Sequence, residues 1–210
     1  MTTLALDLAP PRSRTAARVL YQAGCAVAGS FLVAGLAQLS IRLPFTPVPI
    51  TGQTLGVLLV GAAYGPALGA ATLALYLGWG LAGLPVFAPV NGVHDAGPDV
   101  LAVASATGGY LLGFVVAAGL VGWLARSGWD RSFGSAIGAM LLGEIAIYTV
   151  GLPWLHRALP HLTGGPTTVD GTLAAGLYPF VIGDVLKMLA AAALLPGAWR
   201  LLQRLRPRED

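Results

Sequence analysis

Charged residues are scarce in this sequence of 210 residues. Asp, Glu, Lys and Arg together make up 10% of it, hydrophobic residues make up 56%, and the mean hydropathy is +0.75. Soluble domains carry about 25% charged residues. A soluble fold of this length could not cover so much apolar surface, whereas a lipid solvent removes the need for a polar surface. The composition therefore predicts an all-α, polytopic membrane protein.

The sequence also lacks the residues on which several chemistries depend. Its single cysteine, Cys25, cannot form an internal disulfide. There is no Gly-x-x-x-x-Gly-Lys-Ser/Thr loop for phosphate binding and no Gly-x-Ser-x-Gly elbow for a nucleophilic serine. The three histidines show no metal-ligand spacing with cysteine. We therefore expect no catalytic residues, no metal and no cofactor, and we predict that the protein is not an enzyme.

Long apolar runs dominate instead, and crossing the hydrocarbon core of a bilayer takes about 20 apolar residues in a helix. The pattern predicts six transmembrane helices in a single integral membrane domain of residues 1–210, which begins with a short cytoplasmic segment of about residues 1–16. The second and third helices are short and meet at Gly65-Pro66, and one bent hairpin is the alternative. The expected helices lie at about residues 17–40, 52–64, 66–83, 108–126, 132–156 and 172–195, with 205 as the alternative end of the last.

Three stretches between the helices carry turn residues. Residues 43–49 contain three prolines, which cannot lie inside a helix. Residues 86–105 and 157–171 are rich in proline and glycine and are expected to be loops. The first apolar run, about residues 19–39, is longer than the apolar core of a secretory signal, which has about 7–15 residues. We therefore expect it to remain as a membrane helix.

The positions of the cations predict the orientation of the helices. On a six-helix path, nine of the twelve Lys and Arg residues fall on the side that carries both termini, and only Arg42 and Arg157 fall on the opposite side. Cytoplasmic loops carry the excess of Lys and Arg. Both termini are therefore expected in the cytoplasm, and the basic pI of about 9.4 reflects this topology rather than nucleic-acid binding. The nine are Arg12, Arg14, Arg18, Arg126, Arg131, Arg200, Arg204, Arg206 and Arg208.

Small residues recur on one face of the first predicted helix. Ala17, Gly24, Ala28 and Gly35 are separated by seven, four and seven residues, which places them on one side of a helix. Small faces let helices approach closely in lipid, where no hydrophobic effect drives their association. Packing within the chain is one interpretation of this face, and contact with a partner subunit is the other.

Three ionisable residues lie deep inside predicted helices: Glu144, Asp184 and Lys187. A charge at the centre of a membrane helix costs about 2.5–3.5 kcal/mol on insertion scales, so each of them needs a reason. Asp184 and Lys187 are three residues apart and can pair on one helix face. The pair either only fixes helix packing or lines a ligand site. We favour the ligand site because buried ion pairs stabilise proteins weakly.

Two further features accompany these residues. Glu144 and Tyr148 are four residues apart and share a helix face, so they either bond to each other or both contact a ligand. Pro179 leaves the carbonyl of Ala175 without its helical donor, which predicts a kink next to Asp184. On the outer side, the weaker candidates for polar contacts are Thr51, Gln53, Asn91 and Asp95.

Five ordered motifs resemble those of the BioY family. Leu43-Pro-Phe-Thr-Pro-Val-Pro-Ile-Thr-Gly-Gln-Thr-Leu55 is similar to its first-loop motif, and Tyr178-Pro-Phe-Val-Ile-Gly-Asp-Val-Leu-Lys187 is similar to its final-helix motif. Between them lie Gly83-Leu-Pro-Val-Phe-Ala88, Thr107-Gly-Gly-Tyr-Leu-Leu-Gly-Phe114 and Tyr148-Thr-Val-Gly-Leu-Pro-Trp-Leu155. The resemblance covers about residues 28–195. Ala106 departs from it, since the family pattern has proline there, and the loop after Phe87 is less glycine-rich than usual.

The resemblance implies a substrate-binding S component that captures biotin from outside for an energy-coupling factor (ECF) transporter, which is a kind of ABC transporter. It implies two kinds of partner, a transmembrane coupling protein and a pair of cytoplasmic ATPases that use the ATP. It also implies that the small face of the first helix meets the coupling protein. The expected location is the inner or plasma membrane of a bacterial-type cell.

The resemblance also implies a set of substrate-binding residues. Asp184 and Lys187 match the family's binding pair in the last helix, and Asn91 matches a loop residue that contacts the ligand. The ureido group of biotin offers N–H donors to a carboxylate and a carbonyl to a cation, while its ring and valeryl chain need apolar and aromatic walls. The candidate walls are Tyr110, Tyr178 and Phe87, and the further polar candidates are Gln53, Glu144 and Tyr148.

The sequence as a whole thus predicts high-affinity biotin capture and uptake by the membrane-embedded subunit of an ECF-type ABC transporter. Two alternatives stay open. One is an S component for another vitamin, and the other is a structural membrane subunit without a ligand, in which the buried pair only fixes packing. A transporter that works without ATPases is a variant of the leading prediction.

Overall fold

The structure, a computed structural model, describes residues 3–10, 14–90, 93–94 and 96–205. Most of this part of the chain is helical. The α-helices are α1 (Leu4–Asp7), α2 (Thr15–Ala37), α3 (Gln53–Tyr64), α4 (Pro66–Leu81), α5 (Gly108–Arg126), α6 (Phe133–Thr163), α7 (Val169–Gly176) and α8 (Val181–Leu205). Short strands form two antiparallel ribbons, β1 (Ser40–Ile41) with β2 (Ile50–Thr51) and β3 (Pro89–Val90) with β4 (Val93–His94), and a 3₁₀ turn covers Pro98–Leu101.

Four of these helices, α2, α5, α6 and α8, are long and apolar enough to cross a membrane. The helices α3 and α4 are apolar but shorter, with 12 and 16 residues. At 1.5 Å per residue they rise about 18 and 24 Å, whereas the hydrocarbon core is about 30 Å thick. The prediction of an all-α, multi-pass membrane protein is confirmed. The count of six spans and the position of the termini stay predictions.

The break predicted at Gly65-Pro66 is present. Gly65 has a φ of 82°, in the left-handed region that favours glycine, and its N–H bonds to the carbonyl of Gly61. Pro66 then begins α4, where its missing N–H costs no helical hydrogen bond. A Cβ on Gly122 of α5 would lie 2.3 Å from the carbonyl carbon of Gly65, so the turn packs directly against α5.

Helix α5 lies at the centre of the bundle, where it packs against α3, α4 and α6. Glycines allow the close approach of these helices. A Cβ on Gly113 would lie 2.9 Å from the carbonyl oxygen of Ile147 in α6, and one on Gly61 of α3 would lie 2.8 Å from that of Ala118. Neither position has room for a side chain. These glycines therefore serve packing within the chain, as expected for helices that associate in lipid.

Helix α6 is longer than predicted and shortens the predicted loop at residues 157–171. It contains Pro153 and Pro160 but continues to Thr163, where Gly164 has a φ of 73° and its N–H bonds to the carbonyl of Pro160. A left-handed glycine is a common helix end. The predicted end at residue 156 was wrong because prolines are tolerated inside membrane helices, where neighbouring groups satisfy the freed carbonyls.

The predicted sixth helix is two helices, and Pro179 lies in the break between α7 and α8. We expected a kink that leaves the carbonyl of Ala175 without its helical donor. In the structure, Thr46 Oγ1 donates a hydrogen bond to this carbonyl at 2.5 Å. The continuous helix was therefore wrong, but the freed carbonyl was correctly placed, and the proline-rich first loop supplies its partner.

Two ribbons close one end of the bundle. The first predicted helix ends at Ala37 instead of residue 40, because Ser40–Ile41 pairs with Ile50–Thr51 around the proline-rich segment. The predicted loop at residues 86–105 contains the second ribbon and the 3₁₀ turn. Arg42 Nη2 donates to the carbonyl of Pro89 at 2.5 Å, so the two connections contact each other above the helices.

Candidate functional site

A cavity lies inside the bundle at the end that the two ribbons close. Its volume is about 660 Å³ when the open mouth is included. The enclosed part is about 60 Å³, whereas small-molecule sites commonly measure about 300–1,000 Å³, so the cavity is narrow in this structure. Its lining residues are Val48, Pro49, Thr51, Gln53, Thr54, Phe87, Ala88, Thr107, Tyr110, Leu111, Phe114, Glu144, Ile147, Tyr148, Phe180, Asp184 and Lys187.

Asp184 and Lys187 form an ion pair in the first half of α8. Lys187 Nζ donates to Asp184 Oδ1 at 2.7 Å, to the carbonyl of Thr51 at 3.0 Å and to Thr54 Oγ1 at 2.7 Å. An ammonium has three N–H donors, so all of them are used. The side chains of Lys187 and Asp184 keep only 15% and 7% of their surface exposed. The pair therefore lines the cavity and also ties α8 to β2 and α3.

Tyr148 completes the surroundings of Asp184. Its hydroxyl donates to Asp184 Oδ2, and not to Glu144 on its own helix, so the direct bond considered for that helix face is not formed. The ring of Tyr110 meets that of Tyr148 edge-on, with centroids 6.1 Å apart. The Tyr110 hydroxyl donates to the carbonyl of Gly176 at 2.9 Å. The two tyrosines thus connect α5, α6 and both parts of the broken last helix.

Gln53, at the start of α3, connects the cavity to the segment before Phe87. Gln53 Nε2 donates to Tyr76 Oη at 2.6 Å, and Tyr76 Oη donates to the carbonyl of Val86 at 3.1 Å. The Tyr76 ring meets the Phe87 ring edge-on at 5.3 Å. A Cβ on Gly80 would lie 2.0 Å from ring atoms of Phe87, so glycine leaves the space that this ring occupies. The hydrogen bonds of Tyr76 and the space beside Gly80 together hold the ring of Phe87 in the wall of the cavity.

Glu144 lines the cavity from the middle of α6 and is 3% exposed. Both of its carboxylate oxygens are buried, and neither has a hydrogen-bond partner. The large majority of buried polar side-chain atoms in proteins are hydrogen-bonded. At Glu144 the cavity wall can therefore still accept hydrogen bonds from a ligand.

The sequence did not single out several lining residues. Apolar residues at helical spacing look like ordinary core, which hides Phe114 and Ile147. Phe180 could have been found, because it precedes Asp184 by four residues in the same motif. Thr54, which receives a hydrogen bond from Lys187, lies next to Gln53 in the first-loop motif. Within the described part of the chain, no group of three His, Cys, Asp or Glu residues is placed to hold a metal.

One predicted contact lies elsewhere. Tyr178 is 54% exposed in the break between α7 and α8, and its hydroxyl donates to Asp170 Oδ1 at 3.4 Å. Asn91 and Asp95 lie outside the described residues. The predicted residues that the structure brings together are Asp184, Lys187, Thr51, Gln53, Glu144, Tyr148, Tyr110 and Phe87.

A second, wider space adjoins the cavity on the ribbon side. It is lined mainly by residues of the segments 42–49 and 96–107 and measures about 1990 Å³, including its open side. Pro49 and Thr107 line both spaces. The groove therefore borders the cavity at the ribbon end of the molecule.

The small-residue face of α2 points away from the bundle. Ala17, Gly24, Ala28 and Gly35 are all exposed. A Cβ on Gly24 or Gly35 would meet nothing within 4 Å. Gly29, by contrast, faces inward, where a Cβ would lie 2.8 Å from the ring of Tyr64. The four predicted residues therefore do not pack against other helices of this chain, and their face is accessible to lipid or to another protein.

Comparison with known proteins agrees with this architecture. The sequence matches the BioY family over residues 12–204. It is 32% identical over 160 residues to the probable biotin transporter BioY of Pyrococcus horikoshii, and the aligned stretch covers 75% of this chain and 83% of that protein. It is 33% identical over 162 residues to the biotin transporter BioY of Rhizobium etli, and the aligned stretch covers 73% of this chain and 79% of that protein.

The solved S-component for biotin from an ECF-type ABC transporter has a similar fold. The TM-score is 0.72 at 24% identity, over 96% of this chain and 98% of the solved one. The family match spans nearly the whole sequence, and both relatives exceed 30% identity over most of their own lengths. The chain therefore belongs to the BioY family.

Proposed function

We propose that this protein captures biotin from outside the cell as the substrate-binding S component of an ECF-type ABC transporter. The composition of the cavity carries the proposal, since a polar wall with Asp184 and Lys187 meets a wall of apolar and aromatic side chains. The names of the relatives and the fold shared with the solved S-component for biotin support the same function.

The two walls suit the two halves of biotin. Its cyclic urea presents N–H donors that the carboxylates of the polar wall can accept. Its carbonyl can bind Lys187 in exchange for one of the hydrogen bonds that this lysine makes within the protein. Its thiophane ring and valeryl chain need apolar surface, which Phe87, Phe114 and Ile147 provide.

The cavity opens at the end of the bundle that carries few cations. Arg126, Arg131, Arg200 and Arg204 lie at the opposite end, and the excess of cations marks the cytoplasmic side. The cavity then faces outward in the cell membrane, with both termini in the cytoplasm. Biotin enters from outside, and the segments around the two ribbons cover it.

Release into the cell requires partners. The chain itself needs no cofactor and catalyses no reaction. The ATPases of the ECF module use the ATP, and this ATP drives the reorientation of the S component in the membrane. The exposed small face of α2 supports contact with the coupling protein, because such faces allow close helix approach in lipid. Gly24→Leu fills this face. It is expected to weaken co-purification with the coupling protein and to leave biotin binding by the isolated protein unchanged, and unchanged co-purification would argue against this face.

The proposal is tested by isothermal titration calorimetry on the purified protein in detergent, without partner subunits. Saturable binding near one biotin per chain is expected, together with loss of binding in the Asp184→Asn, Lys187→Met double variant. A panel of other vitamins is expected not to compete. Folded wild-type protein that gives no heat with biotin refutes the proposal, and competition by another vitamin changes the ligand.

A further inference from the structure

The end of the bundle opposite the ribbons carries an excess of cations. In the described part of the chain this end holds six arginines, whereas its described acids are Asp7 and Asp130. Four of the arginines come from the end of α5, from the connection between α5 and α6, and from the end of α8. All four are exposed and together form the cationic surface, which consists of Arg126, Arg131, Arg200 and Arg204.

A buried contact keeps these segments together. Asp130, in the connection between α5 and α6, is 0% exposed, and its Oδ2 accepts a hydrogen bond from Trp199 Nε1 of α8 at 2.6 Å. The guanidinium of Arg131 lies over the face of the same indole ring, 4.3 Å from its centroid. Because the carboxylate of Asp130 is buried, the outward side of this surface is left to the arginines.

The arginines at the helix ends lack counter-charges of their own. Arg126, Arg200 and Arg204 form no ion pair within the described part of the chain. Arg200 and Arg204 are four residues apart on α8, and like charges at this spacing repel each other. Anions from the surroundings would therefore stabilise this surface.

Helix length places the surface at the depth of the lipid headgroups. α8 has 25 residues and rises about 38 Å, whereas the hydrocarbon core is about 30 Å thick. Because α8 begins beside the cavity at the ribbon end, its last residues extend beyond the core at the opposite end. Trp123, which precedes Arg126 by three residues, is 59% exposed, and Trp129 is 38% exposed. Tryptophan is enriched where headgroups meet the hydrocarbon.

We propose that the cationic surface binds the phosphate groups of anionic phospholipids. Its depth and the two exposed tryptophans favour a lipid over an acidic protein, since both features belong to a boundary with the bilayer. Each arginine near a membrane surface favours anionic lipid by about fivefold. The proposal goes beyond biotin capture and does not depend on which ligand occupies the cavity.

The test measures which lipids the protein retains. Purified protein is equilibrated with mixed micelles of detergent and equal amounts of phosphatidylglycerol and phosphatidylcholine with the same acyl chains. It is then recovered by affinity purification, and its lipids are extracted and quantified by mass spectrometry. The wild type is expected to prefer phosphatidylglycerol at least about tenfold, and the Arg200→Gln, Arg204→Gln double variant is expected to lower this preference at least about threefold.

Three controls separate charge at this surface from other effects. Arg157→Gln removes one exposed arginine at the ribbon end and is expected to keep the preference, whereas Arg200→Gln alone lowers it. The Arg200→Lys, Arg204→Lys double variant keeps the charges and is expected to retain the preference, because lysine also binds phosphate. Raising the ionic strength from about 0.1 to 1 M shortens the screening length from about 10 to 3 Å and is expected to weaken the preference.

Thermal unfolding in the same detergent shows whether each variant is folded. Equal retention of the two lipids by the wild type, which is the result expected if the surface serves an acidic protein, overturns the proposal. So does a preference that survives in the glutamine double variant, or one that Arg157→Gln lowers as much as Arg200→Gln. A glutamine double variant that fails to fold would show that these arginines serve the fold, and this too overturns the proposal. The readout does not involve biotin, so each of these results leaves the proposed function as it stands.

Discussion

Replacing Gly80 by alanine tests the aromatic wall of the cavity without touching any residue that lines it. Gly80 lies near the end of α4, behind the ring of Phe87. A Cβ at this position would lie 2.0 Å from two ring atoms and 2.8 Å from a third. The ring is 3% exposed and also packs edge-on against Tyr76. One added methyl group must therefore move Phe87 or the backbone of α4.

The magnitude follows from these distances. Carbon atoms pack at about 3.5–4.0 Å, so the ring has to shift by roughly 1.5 Å or more. Overpacking costs about 1–3 kcal/mol, and alanine in place of glycine returns about 1 kcal/mol of helix propensity. The free energy of unfolding is then expected to fall by about 0–2 kcal/mol. Because a wall of a narrow cavity is displaced, biotin affinity is expected to fall at least about tenfold, or about 1.4 kcal/mol.

Gly78→Ala is the matched control. It lies on the same helix two residues earlier, and its Cβ would meet nothing within 4 Å. This variant is expected to bind biotin like the wild type and to gain up to about 1 kcal/mol of stability. Calorimetry with biotin and thermal unfolding compare the two variants. If Gly80→Ala bound and unfolded like Gly78→Ala, the ring of Phe87 would not occupy the space behind Gly80, and the reasoning would be refuted.

Three further predictions concern other parts of the structure. Removing one partner of the buried Asp184–Lys187 pair is expected to cost about 3–5 kcal/mol of stability, and removing both partners together is expected to cost less than the sum of the two single losses. Losses in thermal unfolding that add up in the double variant would contradict the pairing. Thr46→Val removes the donor to the carbonyl of Ala175 and is expected to lower the free energy of unfolding by about 1–3 kcal/mol in the same assay. Thr46→Ser keeps the hydroxyl and is the control. Equal losses of stability in the two variants would exclude this hydrogen bond. Burial raises the pKa of Asp130 above its usual 3.8, so the folded protein binds more protons than the unfolded chain between the two pKa values. The free energy of unfolding therefore falls as pH rises through that interval, and Asp130→Asn is expected to reduce this slope, which an unchanged pH profile would disprove.

The sequence was informative where lipid constrains it. Long apolar runs predicted helices because a bilayer leaves backbone groups no other partner. Glu144, Asp184 and Lys187 stood out for the same reason, since each interrupts such a run, and all three line the cavity. The uneven distribution of Lys and Arg between the two sides of the membrane predicted that both termini lie in the cytoplasm, and this orientation remains a prediction.

Tertiary contacts decided the rest. Pro160 indicated a loop, but α6 continues past it to Thr163. Tyr178 lies in a motif beside the binding pair, yet the break before α8 leaves it exposed and outside the cavity. The support of Phe87 by Tyr76 and Gly80 depends on two segments that meet only in the folded protein. No local pattern in one sequence reports such contacts.

The shortness of α4 has a consequence for the surrounding membrane. With 16 residues it rises about 24 Å, about 6 Å less than the usual hydrocarbon thickness. Ala67, Ala71, Ala74 and Gly78 form its exposed face, so on the predicted six-span path the lipid tails beside this face would meet a hydrophobic mismatch. A short span is accommodated by local thinning of the bilayer, at a fraction of a kcal/mol per Å. If α4 spans the bilayer as predicted, the thickness of the membrane is one of the variables that set the tilt and stability of this protein.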